Sequence, residues 1–200
     1  IINCVFRGNN TENTGGGIGF MNSNSAMQNC FFIENNASPG GGVYIDGESS
    51  VTTANCQFIE NAGGSGGGAI FVTQGGDLTC TDSEFGVNSV LPQFQGGAIQ
   101  IESGATAELT GNILCGNTPD QISGSWSNLG GNSVSVQCSA DVGDGGDIPD
   151  PNPVQNADGT FTWYVGNNLQ YPVMQDVLDA ASPGDEIVVA AGLYVESISV

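Results

Sequence analysis

A Phe-x-x-Asn motif recurs along the first two thirds of the chain and limits the folds that this sequence can adopt. Four phenylalanines stand 26 or 27 residues apart, and each is followed three positions later by an asparagine. The pairs are Phe6–Asn9, Phe32–Asn35, Phe58–Asn61 and Phe85–Asn88, with a degenerate fifth copy at Leu114–Asn117. A cysteine precedes each of the first three phenylalanines by two positions, at Cys4, Cys30 and Cys56. Such a regular recurrence predicts a stack of similar structural units.

The side chains within each repeat alternate with a period of two, which is typical of β-strands. Cys4 and Phe6, for example, would share one face of a strand. A unit this small cannot bury its apolar face alone, whereas stacked units can. We therefore predict an all-β fold, a right-handed parallel β-helix with coils of about 26 residues. A β-propeller or a leucine-rich solenoid is the alternative, but propeller blades need ~40 residues and the leucine pattern is missing.

Stacking in register assigns roles to the repeated residues. The phenylalanines would stack inside the bore as core residues, and the cysteines would form an inward-facing column beside them. The asparagines would form a ladder at the bends, where asparagine tolerates the left-handed backbone conformation and its amide can bond the amide of the next coil.

The charge balance excludes several classes of function. The chain has 21 acidic residues, no histidine and one basic residue, Arg7, and its formal net charge is −20. One cation cannot neutralise a row of phosphates, which excludes nucleic-acid binding, and histidine-based catalysis is absent. No apolar run approaches the ~20 residues that would insert into a membrane. A glycine-rich, lysine-free acidic chain is instead typical of secreted, extracellular proteins.

A second repeated motif carries a family resemblance. Glycine pairs or triplets precede an aliphatic residue in each unit, at Gly15–Ile18, Gly40–Val43, Gly66–Ile70 and Gly96–Ile99. Combined with Phe-x-x-Asn, this pattern resembles the repeats of the polymorphic outer-membrane protein family and, more broadly, the pectin-lyase-like β-helix superfamily. The resemblance covers roughly residues 1–138 and implies surface display and adhesion.

The remaining residues change in character. Residues 139–160 are rich in Pro, Gly and Asp and are predicted to be a linker. The apolar spacing near 172–181 predicts a short capping helix. Residues 161–200 resemble the N-terminal cap and first coil of a pectin-lyase-like domain. We therefore expect that one β-helix ends near Cys138 and a second begins near Phe161, within a longer protein.

Cysteines and clustered aspartates are the candidate special sites. A Cys115–Cys138 disulfide would close the β-helix, and buried free thiols are the favoured interpretation of Cys4, Cys30 and Cys56. Cys80 has no assigned role. The carboxylates of Asp141, Asp144, Asp147 and Asp150 are a candidate calcium site, but a solvated acidic linker is the favoured interpretation. Glu34 and Glu60 occupy equivalent positions and form either a cation site or an acidic stripe.

These observations favour a structural or adhesive subunit of an extracellular assembly, joined head-to-tail with copies of itself as a filament or tandem array, rather than an enzyme. Its other partners would be a surface glycan or a protein. The alternative is a carbohydrate-active β-helix, either a lyase or a hydrolase. A lyase of the resembled superfamily would need Arg7 as its base. A hydrolase would need converging carboxylates, and the candidates in the coils are Asp77, Asp82, Glu84, Glu102 and Glu108.

Overall fold

A computed structural model describes residues 1–138 and three strands beyond them, Val154–Gln155, Phe161–Val165 and Glu186–Val189. The chain divides into two compact units, residues 1–144 and 145–200, which we describe separately. The predicted helix at 172–181 and the predicted calcium site at Asp141, Asp144, Asp147 and Asp150 lie outside the described residues, as does most of the predicted linker.

In the first unit the chain winds through four parallel sheets, which we number I to IV in the order that each coil passes them. Sheet I contains Val5–Arg7, Phe31–Ile33, Gln57–Ile59, Glu84–Gly86, Ile113–Cys115 and Ser133–Ser135. Sheet II contains Asn36–Ala37, Ala62–Gly63 and Ser89–Val90. Sheet III contains Ile18–Phe20, Val43–Ile45, Ile70–Val72, Ile99–Ile101 and Ile122–Ser123. Sheet IV contains Asn24–Gln28, Ser50–Ala54, Asp77–Thr81, Thr106–Thr110 and Ser127–Asn128.

The predicted right-handed parallel β-helix is confirmed, with about four coils of about 27 residues each. Every strand pairs in parallel with its equivalent in the next coil, so that Phe32 lies opposite Phe6 on one side and Phe58 on the other. No helix occurs in residues 1–138.

The core is a column of stacked rings that follows from this register. Phe32, Phe58 and Phe85 are completely buried. The ring centroids from Phe6 through Phe85 lie 4.7, 4.8 and 4.7 Å apart, and the ring planes are within 6° of parallel. This spacing matches the ~4.8 Å between neighbouring strands, so that the strand ladder itself holds the rings in contact.

The prediction that the motif asparagines adopt the left-handed conformation is wrong. The positive φ angle belongs to the residue before each asparagine, as at Glu34 and Glu60, both with φ of 55°. Asparagines do adopt this conformation at the bend that precedes sheet I, at Asn3, Asn29 and Asn55. The preceding residue makes the turn because the motif asparagine must aim its amide along the column.

In the second unit, strand Phe161–Val165 pairs in parallel with Glu186–Val189, with Thr162 opposite Glu186. It also pairs with Val154–Gln155 in the antiparallel direction. The assignment of residues 161–200 to the start of a second β-helix stays a prediction.

Candidate functional site: the side-chain ladders and the closed end

A ladder of asparagine amides ties each coil to its neighbours. Oδ1 of Asn61 accepts two hydrogen bonds from Asn35, one from its backbone N–H (3.1 Å) and one from its side-chain Nδ2 (3.0 Å). Nδ2 of Asn61 donates to the carbonyl of Phe32 (2.7 Å) and to Oδ1 of Asn88 (2.9 Å). One buried side chain therefore makes four hydrogen bonds that reach two neighbouring coils.

The same pattern recurs along the column. The structure brings together Asn9, Asn35, Asn61, Asn88 and Asn117 in one continuous ladder. The linked residues are 26, 26, 27 and 29 positions apart, so each coil absorbs its extra residues elsewhere in its loops. The hydrogen bonds between the asparagines are therefore kept in every coil, although the number of residues per coil varies.

A second polar ladder, at the bend between sheets IV and I, is one that the sequence analysis missed. The backbone N–H of Cys56 donates to Oγ of Ser83 (3.1 Å), and that of Ser83 donates to Oδ1 of Asn112 (2.9 Å). Nδ2 of Asn112 donates in turn to Oδ1 of Asn132 (3.0 Å). These residues continue the column of Cys4, Cys30 and Cys56. Aligning the positions that stand two residues before each core phenylalanine or its equivalent would have revealed this second ladder.

The last coil ends the ladders on its own side chains. Oε1 of Gln121 accepts a hydrogen bond from Nδ2 of Asn117 (2.5 Å). Oδ1 of Asn128 accepts one from Nδ2 of Asn132 (2.8 Å). Oδ1 of Asp120 accepts the N–H groups of Gly96 (2.6 Å) and Gly97 (3.2 Å). We call Asp120, Gln121 and Asn128 the closed end.

Asp120, which lies in the last coil, supplies with its side chain an acceptor that backbone carbonyls supply in the inner coils. In the inner coils the glycine N–H groups of the same bend donate to carbonyls of the next coil, as Gly40 does to Gly66 and Gly41 to Gly67. A carboxylate is a strong acceptor for such N–H groups. The disulfide between Cys115 and Cys138 is present beside the closed end and fastens the residues after the last strand of sheet I.

The other four cysteines are free. Cys30, Cys56 and Cys80 are buried, whereas Cys4 is partly exposed. Cys80 lies inward from sheet IV, where its Sγ accepts a hydrogen bond from Oγ1 of Thr53 (2.9 Å). Burial raises the pKa of Cys56 to about 11 and that of Cys80 to about 12.

Because the pKa values of these thiols are raised, we predict that the free energy of unfolding decreases at alkaline pH. A thiol whose pKa is higher in the folded than in the unfolded chain stabilises the fold fully below pH ~9, and this contribution is lost as pH rises through the folded pKa. We expect the urea midpoint to fall between pH 8.5 and 11, as measured by circular dichroism without reductant.

The variant Cys80→Ser is the matched control, because the neighbouring coil already carries a hydroxyl, Thr53, at the paired position. Its midpoint should fall less over the same pH range. An equal fall in variant and parent would assign the alkaline sensitivity to groups other than this thiol.

The charged candidate residues of residues 1–138 lie mainly in surface contacts. No group of three or more Cys, Asp or Glu side chains is placed there to hold a metal ion. Arg7 Nε lies 3.1 Å from Glu34 Oε2, and both side chains are about half exposed, so this is an ordinary surface ion pair. Asp77 is held by the hydroxyls of Ser50 and Thr106. A shallow cleft against sheet II, lined by residues such as Asn36, Ser89 and Leu91, carries no titratable side chain.

Comparison with known proteins identifies the architecture. A family model described as "Right handed beta helix region" matches residues 2–140. The comparisons with curated proteins and with solved structures gave no significant match. In the part of the chain described here, no helix is long and apolar enough to cross a membrane.

Proposed function

We propose that this chain, which belongs to the right-handed β-helix family, is a stiff structural or adhesive segment of an extracellular assembly in which successive β-helices are joined in tandem. The observation that carries this proposal is the pair of ladders that run from coil to coil and then stop at the closed end.

The ladders supply axial stiffness. Each coil is joined to the next by strand hydrogen bonds, by ring contacts at 4.7–4.8 Å and by an amide that bonds both neighbours. Bending or stretching the stack would break several of these contacts at once. Such a rod suits a protein that holds other parts of an assembly at a fixed distance.

The closed end favours covalent linkage over end-to-end stacking. A coil added beyond the last strand of sheet I, Ser133–Ser135, would find the amides of Asn117 and Asn132 already bonded to Gln121 and Asn128. Extension at this end would therefore pass through the segment at 139–160. The parallel pairing of Phe161–Val165 with Glu186–Val189, strands separated by roughly one coil of sequence, is what a second β-helix would require.

Charge and redox chemistry support an extracellular location. A net charge of −20 keeps neighbouring rods apart. Disulfides persist mainly in oxidising compartments, and the chain has one at Cys115–Cys138. The resemblance of the repeats to the polymorphic outer-membrane protein family agrees with display at a cell surface.

Light scattering and electron microscopy of the purified full chain test the tandem arrangement. We expect a single-copy mass and isolated short rods at micromolar concentration. Filaments with a continuous axial repeat would overturn covalent linkage in favour of stacking. Release of reducing sugars from a panel of acidic and neutral glycans would overturn the structural proposal itself in favour of an enzyme.

A further inference from the structure

An aromatic ring on the outer face of sheet III has one side in contact with protein and the other side open. Tyr44 points outward between Val43 and Ile45, which are fully buried. Its ring stacks on that of Phe71 in the next coil, with centroids 6.1 Å apart and planes within 7° of parallel.

The opposite side of the ring faces the preceding coil, where the residue paired with Tyr44 is Gly19. Gly19 is exposed, and a Cβ added to it would meet no atom within 4 Å. Any larger residue would place a side chain against the tyrosine. The glycine therefore leaves a notch with the free face of the Tyr44 ring as its wall. Met21, which is 62% exposed, follows two residues after Gly19 in the chain.

The notch is negatively charged. Asp46, two residues after Tyr44, accepts hydrogen bonds from the N–H of Asn22 (3.2 Å), the N–H of Glu48 (3.0 Å) and Oγ of Ser49 (2.8 Å). These bonds, led by that from Ser49, lower the pKa of Asp46, so its carboxylate stays ionised. The pKa of Tyr44 is raised, first by burial and then by the charges of Asp46 and Glu102.

An open aromatic face near a fixed carboxylate is a binding arrangement for cations. The ring face attracts a cation through its quadrupole, and the carboxylate adds a charge interaction. The alkyl stem of a long basic side chain can also pack on an exposed apolar side chain such as Met21. A chain with net charge −20 further concentrates cations at its surface.

We propose that the notch formed by Gly19, Met21, Tyr44 and Asp46 binds a cationic side chain, lysine or arginine, of a basic partner protein. This inference does not depend on the tandem arrangement, since the notch lies on the lateral surface of the solenoid. It gives the rod a laterally placed docking point and defines the chemistry of the group that occupies it.

The test uses the full chain and two small probes of nearly equal shape. The probes are n-butylammonium, which reproduces the end of a lysine side chain, and n-butanol, its neutral counterpart. The ring resonances of Tyr44 are followed by nuclear magnetic resonance during each titration. We expect a saturable shift with n-butylammonium that weakens with salt, and at least a tenfold weaker response to n-butanol.

The variant Gly19→Val fills the notch without changing the charge of the chain. Because the added atoms enter open space and valine suits a strand, its fold should be unchanged. We expect at least a tenfold loss of apparent affinity for n-butylammonium. Thr52→Val, on the exposed face of sheet IV, is the matched control and should bind like the parent.

Three results would overturn the proposal. These are an unchanged affinity in Gly19→Val, an equal loss in Thr52→Val, and an equal response to n-butanol, which would indicate a neutral ligand. Should Gly19→Val perturb the fold, Tyr44→Leu removes the ring instead, and binding is then followed by the backbone amide resonances of Gly19 and Asp46. Unchanged binding in that variant would equally exclude the notch.

Discussion

Replacing Phe58 by alanine is expected to lower the free energy of unfolding by about 3–5 kcal/mol, the range for phenylalanine-to-alanine changes in protein cores. The Phe58 side chain is completely buried, and its ring lies 4.8 Å from that of Phe32 and 4.7 Å from that of Phe85. The variant would leave a ring-sized cavity between two coils. The surrounding strands cannot close it, because their spacing is fixed by backbone hydrogen bonds. Urea unfolding of the purified variant, monitored by circular dichroism, measures the change.

Two controls make this result specific to the column. Phe58→Leu keeps most of the volume, and the column already contains a leucine at Leu114, so it should lose less than half as much stability. Phe94→Ala removes the same ring from a loop where Phe94 is only partly buried. It should lose below about 1 kcal/mol, as expected of a change outside the core. Equal losses of unfolding free energy in Phe58→Ala and Phe94→Ala would contradict the claim that the stacked rings stabilise the fold.

The repeat of the sequence was sufficient to predict the coil and its bore. Phe6, Phe32 and Phe58 recur at one coil length with the same residue type, and identical side chains in register must stack. The second ladder was missed because its position is constant while its residue type changes, from Cys56 to Ser83 to Asn112. A pattern of residue types does not reveal a site at which a thiol, a hydroxyl and an amide occupy equivalent positions.

The closed end could not be predicted, because it occurs once. Asp120, Gln121 and Asn128 have no counterparts in the other coils, and their roles follow from hydrogen bonds left over when the stack stops. A repeat identifies the residues that every coil uses. The residues of the last coil differ because they must provide the hydrogen-bond partners that a following coil would have provided.

The notch beside Tyr44 depends on a local shift in register. The phenylalanine spacing between the first two coils is 26 residues, which would place Ile18 opposite Tyr44. The structure pairs Tyr44 with Gly19, because one residue fewer separates the two strands of sheet III. A shift of one residue moves every side chain to the other face of a strand. The glycine motifs Gly15–Ile18 and Gly40–Val43 lie 25 residues apart and do give this pairing, but they do not show that the space beside Gly19 stays open in the fold.

Replacing Asn61 by leucine is expected to destabilise the fold by about 3 kcal/mol, although the two side chains are similar in size. The variant removes the four hydrogen bonds of the Asn61 side chain. The backbone N–H of Asn35 loses its acceptor, whereas Nδ2 of Asn35 keeps the carbonyl of Phe6 and Oδ1 of Asn88 keeps the backbone N–H of residue 61. Each lost hydrogen bond costs about 1 kcal/mol, and the buried N–H that is left unpaired costs about 1–3 kcal/mol. The gain from burying an apolar side chain offsets only part of this loss.

Asn36→Leu provides the matched control for the ladder, because it makes the same chemical change at an exposed residue on the outer face of sheet II. It should alter the free energy of unfolding by about 0.5 kcal/mol or less. Hydrogen exchange of the full chain adds a spatial readout, since Asn61→Leu should accelerate exchange at Asn35 and Asn88, whose amides belong to different coils. Protection lost only within the coil of residue 61 would mean that the coils are stabilised separately. Loss in both neighbours would establish that the amide ladder couples them, and that coupling is what a stiff rod requires.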